Sequence, residues 1–413
     1  MLKNTPKLPF ILVTTLFFMW GLANNMTDTL LSAFKKILSM TDFQTTFVQY
    51  AFYGAYFCLA IPAALIIRKY SYKTGILIGL GMFILGGLLF YPASNTMVYG
   101  HFLAALFILA GGLSILETSA NPYIIAMGPV ETGVQRLNLA QSFNPIGSIT
   151  GVVLSKIFIL SHLNVAENAE RATMEKSALQ AIQQEELSAV MGPYVGVSVF
   201  LLVLWVLFAV LKMPKASDDS AISNVGATVK RLLANKNYTK SVIAQFFYVG
   251  AQIGVWSFTI RYVMNELSVK EDEAANYYLM ALVLFLVARF ISTALMKYIA
   301  PSKLLMLFAI AAAVLCGIVI SFQGHVGVYA LVLISAFMSL MFPTIYGLGL
   351  RDLGEDTKLG GSGLIMTIIG GAVITGIQGL ISDQAGIHVS YIVPLLCFVV
   401  VAWFGWSVKT FRA

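Results

Sequence analysis

The chain is poor in charge. Asp, Glu, Lys and Arg make up 11% of its 413 residues, where a typical water-soluble domain carries about 25%. Hydrophobic residues make up 58%, so too little polarity remains to clothe a water-facing surface, and a soluble globular domain is excluded. Cysteine is scarce as well. Cys58, Cys316 and Cys397 lie far apart in apolar runs without CxxC spacing, which leaves no disulfide framework and no thiolate metal site. The four histidines, His101, His162, His325 and His388, stand singly near the ends of apolar runs, the pattern of interfacial residues rather than of a metal cluster. A cleavable leader is not expected either. The first apolar run is too long for a signal-peptide core and carries Asn24, Asn25 and Asp28 where small residues would be cut. Finally, Gly360-Gly361-Ser362-Gly363 is not followed by Gly-Lys-Ser/Thr, so it is no phosphate loop; with Gly370-Gly371 it reads as close packing or helix breaking.

Long apolar stretches are abundant. A helix crossing the hydrocarbon of a bilayer needs about 20 mostly apolar residues, and twelve such stretches fit between polar breaks: 9–34, 43–67, 74–92, 97–128, 138–162 and 192–213, then 239–266, 274–298, 303–322, 326–350, 360–382 and 388–408. They are too long and too uniformly apolar for barrel strands. The expectation is an all-α integral membrane protein of two six-helix bundles, 1–213 and 239–413, joined by a polar linker, 214–238. An internal echo supports two halves. Ala64 to Leu80 and Ala294 to Ala309 each end one helix in a basic turn and begin the next, between the second and third helix of their half. Segment 163–189, with good helix formers and mixed charge, reads as a solvated loop, an amphipathic surface helix being the alternative.

Basic residues orient the layout, because cytoplasmic loops collect Lys and Arg. One side holds Lys3, Lys7, Arg68, Lys69, Lys73, Arg136, the run from Lys212 to Lys240, Lys297, Lys303, Arg351, Lys358, Lys409 and Arg412. The other side holds few, among them Lys35 and Lys36 and an acidic loop with Glu167, Glu170, Glu175, Glu185 and Glu186. Both termini are therefore expected on the cytoplasmic side of a bacterial inner membrane. The net charge of +7 reports that orientation, and no basic patch interleaved with aromatics points to nucleic acid.

A charge at mid-bilayer costs at least about 2.5–3.5 kcal/mol, so an intramembrane ionisable residue is a functional candidate by default. Asp28 and Glu117 qualify, and neither has Lys or Arg at helical spacing. A lone buried acid of this kind takes up a proton when dry and releases it when water arrives. Amides cluster around both at spacings of three and four: Asn25 with Asp28, Asn121 with Glu117, and Gln141 with Asn144 and Ser148. In the second half, Gln245, Tyr248, Gln252 and Trp256 form one polar and aromatic stripe. Amides that bond hydroxyls, beside aromatic faces that cover C–H surface, suit a sugar; an anion would ask for cations. The same amides also serve as interhelical joints in membrane proteins, and that reading stays open. Arg261 and Arg289 are the remaining deep charges, read as gating residues, with Arg289 pairing with an acid or a carbonyl. No group of residues with metal spacing and no activated nucleophile points to an enzyme.

Six runs make a family resemblance specific. They are Trp20 to Asn25 through Asp28, Leu116 to Pro122, Arg136 to Pro145, Gln245 to Gln252, Phe342-Pro343-Thr344-Ile345, and Thr357-Lys358 leading into the glycines. Together they resemble the fucose permease family of the major facilitator superfamily. The resemblance implies symport of a hexose or 6-deoxyhexose, L-fucose first, with protons and without a cofactor, by rocking of two halves in a monomer. It places proton coupling on Asp28 and Glu117 and sugar contacts on Asn25, Gln141 and Asn144. Thr375 departs from the family, which often has proline there. A sodium-coupled carrier of glucose, galactose or N-acetylglucosamine, and a non-transporting sugar receptor on the same scaffold, remain as alternatives.

Overall fold

The computed structural model describes residues 5–37, 42–158, 171, 174–214 and 225–408; at 24, 27–36, 42–46, 49, 156, 176, 189, 190, 271 and 272 the description is of the backbone alone. Among the described residues every regular element is helical. Uniform apolarity selects this: in lipid each backbone N–H and C=O needs an internal partner, and a helix supplies it within one segment. Among the described residues, ten helices are long and apolar enough to cross a membrane.

The first six spans are α1 (Lys7–Ile37), α2 (Asp42–Lys69), α3 (Tyr72–Thr96), α4 (Tyr99–Ala126), the pair α5 (Gly133–Gln141) and α6 (Phe143–Phe158), and α7 (Lys176–Val210). A short amphipathic helix, α8 (Val225–Ala234), lies in the expected linker. The last six are α9 (Lys236–Leu267), α10 (Glu271–Leu295), α11 (Pro301–Ser321), the pair α12 (His325–Met338) and α13 (Met341–Gly349), the pair α14 (Thr357–Met366) and α15 (Gly370–Ala385), and α16 (Ile387–Ser390) running into α17 (Ile392–Ser407).

Three spans are broken in mid-course, and the sequence dictates where. Proline has no N–H and cannot donate to the carbonyl four residues back. Pro145 follows the α5–α6 break and Pro343 the α12–α13 break. The third break is a 3-10 turn, Thr367–Ile369, immediately before Gly370-Gly371, so these glycines interrupt the helix as expected.

One difference from the sequence reading is informative. Helix α7 starts at Lys176, inside the segment read as a solvated loop. Arg171 there is fully buried and forms a two-pronged ion pair with Glu186, at 2.8 and 2.6 Å. Gln183 donates to the Ile37 carbonyl at 2.6 Å, tying the start of α7 to the end of α1. Mixed charge reads as a solvated face because charges are rarely buried; here the charges are paired, which is the condition under which burial is tolerated.

The helices form two compact units. One comprises Met1–Phe10, Asn121–Pro145 and Ala216–Ala413, the other Ile11–Ala120 and Ile146–Lys215. In the second, α3 lies along α7, and α6 is seated on α1 through Gly147 and Gly151. A Cβ on Gly151 would fall 2.5 Å from the Leu22 carbonyl oxygen, and one on Gly147 would collide with the Phe18 carbonyl. Small residues four apart let two membrane helices approach backbone to backbone. In the first unit α11 packs on α12 and α17, α9 on α15 and α17, and α5 on α13. The outer side of α7 presents Val199, Phe200, Leu202, Val203 and Val206, a surface suited to acyl chains rather than water.

Candidate functional site

In the unit of Ile11–Ala120 and Ile146–Lys215, Glu117 sits mid-course on α4 and is 1% exposed. Its Oε1 accepts a hydrogen bond from the Tyr56 hydroxyl on α2 at 3.2 Å. Its Oε2 has no partner among the described residues. Tyr56 is equally buried, stacks obliquely on Phe52 at 5.3 Å, and its backbone carbonyl accepts from Ser114 on α4 at 3.1 Å. The carboxyl is thus fixed on one oxygen and open on the other. A carboxyl in that setting holds or yields one proton without a neighbouring cation to trap it in the ionised form. Tyr56 was not among the residues singled out in the sequence; no pattern links positions 61 apart.

Asn25 is half-buried on α1, its amide donating to the Gly21 carbonyl at 3.3 Å. Ser148 reaches the same carbonyl from α6 at 3.4 Å. Asp28 lies on α1, and its side chain lies outside the described residues.

The other unit brings Gln141 and Asn121 together. Both are buried, and the Gln141 amide donates to Asn121 Oδ1 at 2.8 Å, leaving the Asn121 amide nitrogen unbonded. Asn144 is half-buried one turn further on. Two side chains and one backbone carbonyl on α5 bind the second half of the sequence. Gln135 donates to the Thr293 carbonyl at 3.1 Å and Asn138 to Thr344 Oγ1 at 3.1 Å, while the Gln141 carbonyl accepts from Arg289 at 3.0 Å.

The stripe on α9 divides. The Tyr248 hydroxyl donates to the Met338 carbonyl at 3.0 Å, and the Trp256 indole donates to Ser335 Oγ at 3.2 Å while standing edge-on to Phe285. These two residues serve as interhelical joints between α9 and α12. Gln245 is fully buried with both amide atoms unbonded, and Gln252 is half-buried. Gln378 and Thr375 on α15 are further buried polar groups without a partner among the described residues; Gln378 abuts Gly254 of α9. A buried amide left unbonded costs free energy comparable to a lost hydrogen bond. A bound polyol or water returns that cost.

Outside the spans, Arg231 of α8 grips Asp356 at 2.9 and 2.6 Å. The hydrogen bonds it donates to this carboxylate raise the guanidinium above its usual range. At the far end of α9, Glu266 pairs with His388 at 2.5 Å and accepts from the Gly324 N–H at 2.6 Å, joining three chain segments.

Comparison with known proteins places this architecture. The model of the Major Facilitator Superfamily matches residues 13–377. An L-fucose-proton symporter of Haemophilus influenzae is 41% identical over 409 residues, covering 96% of this chain and 95% of the relative. An L-fucose-proton symporter of Escherichia coli is 41% identical over 400 residues, covering 95% and 91%. A crystal structure of the Major Facilitator Superfamily transporter FucP in the outward conformation superposes with a TM-score of 0.92 at 40% identity, covering 98% of this chain and 99% of that one. The twelve spans, the buried lone acid and the full-length similarity together identify a multi-pass membrane transporter rather than an enzyme. The chain belongs to the Major Facilitator Superfamily.

Proposed function

We propose that this transporter imports L-fucose, or a closely related hexose, together with protons. The similar symporters named above support the substrate class, and Glu117 carries the coupling: a fully buried carboxyl, bonded on one oxygen by Tyr56 and unbonded on the other. Glu117 and Asp28 take up a proton from the outer side. Asn25, Asn121, Gln141 and Asn144, with Gln245 and Gln252, offer amides to the sugar hydroxyls. Tyr248 and Trp256 supply aromatic surface around them.

With the acids protonated and the sugar bound, the closed and dry state becomes accessible, because no bare charge has to be buried. Two six-helix halves, 1–213 and 239–413, then reorient about the linker 214–238 and release both to the cytoplasm. Sugar and proton each raise the other's affinity by the same factor, as linkage requires. The working unit is a monomer in the bacterial inner membrane with both termini cytoplasmic.

The test is uptake by proteoliposomes under imposed proton or sodium gradients, against fucose, galactose, glucose and N-acetylglucosamine. Uphill L-fucose accumulation driven by protons is expected, and Glu117→Gln abolishes accumulation while leaving exchange. Undiminished proton-driven uptake by Glu117→Gln, or uptake driven by sodium alone, refutes the proposal.

A further inference from the structure

Arg289 of α10 is 3% exposed, and among the described residues no carboxylate lies within ion-pair distance of it. Its guanidinium packs over the Phe285 ring, 4.6 Å from the centroid. Its hydrogen bonds go to two backbone carbonyls, Nε to Ser339 and an Nη to Gln141, the latter at 3.0 Å.

These two carbonyls have something in common. In a regular helix the Gln141 carbonyl would accept from the N–H of residue 145, and the Ser339 carbonyl from that of residue 343. Both positions are proline, so neither N–H exists. One guanidinium therefore satisfies two carbonyls that two prolines orphan, one on the α5–α6 span and one on the α12–α13 span. Tyr248 caps the adjacent Met338 carbonyl at 3.0 Å, completing the break in the second of these spans. In a low-dielectric interior each orphan carbonyl needs such a donor, and the planar fork of arginine serves two acceptors where the point charge of lysine does not.

We propose that Arg289 is a latch of the transport cycle, holding the α5–α6 span of the first half against α10 and α12–α13 of the second through these carbonyls, and released when the other face opens. The proposal rests on the alternating reorientation of two halves described above. Release exposes one guanidinium and two carbonyls at once, so the latch opens only when water replaces it. Gln141 ties the latch to the sugar: its carbonyl is gripped by Arg289 while its amide binds Asn121. A sugar that recruits the Gln141 amide therefore acts on the residue the latch holds.

The experiment uses the full-length transporter in lipid nanodiscs with Thr344→Cys, a fully buried position on α13, labelled by a water-soluble maleimide in a Cys58→Ser background. Wild-type Arg289 is expected to give slow labelling that changes when L-fucose is added at acid pH. Arg289→Gln is expected to speed labelling by about tenfold, the effect of losing a charge-assisted hydrogen bond, and Arg289→Lys to fall between. The double variant Pro145→Ala, Pro343→Ala gives each carbonyl a backbone donor while keeping the arginine, and it too is expected to label faster. Labelling equal to wild type in Arg289→Gln, or in the proline variant should the former not fold, overturns the latch, as does a loss of thermal stability without a change in labelling. Labelling of the wild type that ignores L-fucose and pH instead counts against the alternating reorientation itself.

Discussion

Replacing Glu186 by Gln removes the carboxylate that grips the buried Arg171 guanidinium with two hydrogen bonds. Both side chains are almost completely buried, at 0% and 2% exposure, and two parallel hydrogen bonds of 2.8 and 2.6 Å join them. For an exposed pair the median contribution is about 0–1 kcal/mol. For a buried pair, removal of one partner costs about 3–5 kcal/mol, because the remaining ion has already lost its water, while replacement of both by apolar residues of similar volume is often neutral or stabilising. Glu186→Gln is therefore expected to destabilise the protein by about 3–5 kcal/mol, and Arg171→Met with Glu186→Leu to restore most of that loss. The measurement is denaturant or thermal unfolding of purified protein in detergent, followed by tryptophan fluorescence, for wild type, both single variants and the double. A coupling energy of several kcal/mol between the two sites is the expected outcome. If Glu186→Gln costs less than about 1 kcal/mol, the pair behaves as a solvated one and the packed start of α7 is refuted.

Tyr56→Phe removes the donor to Glu117 Oε1; the ionised carboxylate loses about 1.5–3 kcal/mol of hydrogen bonding, more than the protonated acid loses. The pH dependence of proton-driven uptake, read from rates between about pH 5 and 9, is therefore expected to change. An unchanged pH profile with normal expression counts against the Tyr56–Glu117 contact. Gly147→Ala drives a methyl into the Phe18 carbonyl and is expected to cost about 1–3 kcal/mol, with reduced transport because α1 carries Asn25 and Asp28. Gly192→Ala on α7 meets open space and is expected to be neutral or to stabilise by up to about 1 kcal/mol, so equal effects of the two alanines would refute the α1–α6 seat.

What could be read before folding was whatever one segment decides by itself. Each span follows from its own apolar run, and the breaks at Pro145, Pro343 and Gly370-Gly371 follow from local backbone chemistry. Glu117 and the amides were visible because a polar residue in an apolar helix is conspicuous without any knowledge of its neighbours. Their partners were not visible. Tyr56 lies on another helix, and nothing in an apolar stretch of α2 distinguishes it from the other tyrosines nearby. Arg289 was legible as a charge needing an acid or a carbonyl, but not which carbonyls, since every residue carries one. The same limit explains Tyr248 and Trp256: spacing placed them on one face of α9, and only packing against α12 shows that their polar atoms are spent on Met338 and Ser335. Arg171 and Glu186 were misread for a related reason, since mixed charge resembles a solvated loop until a second helix covers it.

The Arg289 contact also bears on how the chain is made. Ribosomal synthesis delivers Gln141 and then Arg289 to the membrane before Ser339 exists, so the guanidinium enters the bilayer about 50 residues ahead of its second acceptor. Until then the nascent α10 carries a cation whose insertion costs about 2.5–3.5 kcal/mol at mid-bilayer. The second of its two hydrogen bonds forms only once the α12–α13 span has arrived, so the α10 cation is fully satisfied by a segment made after it.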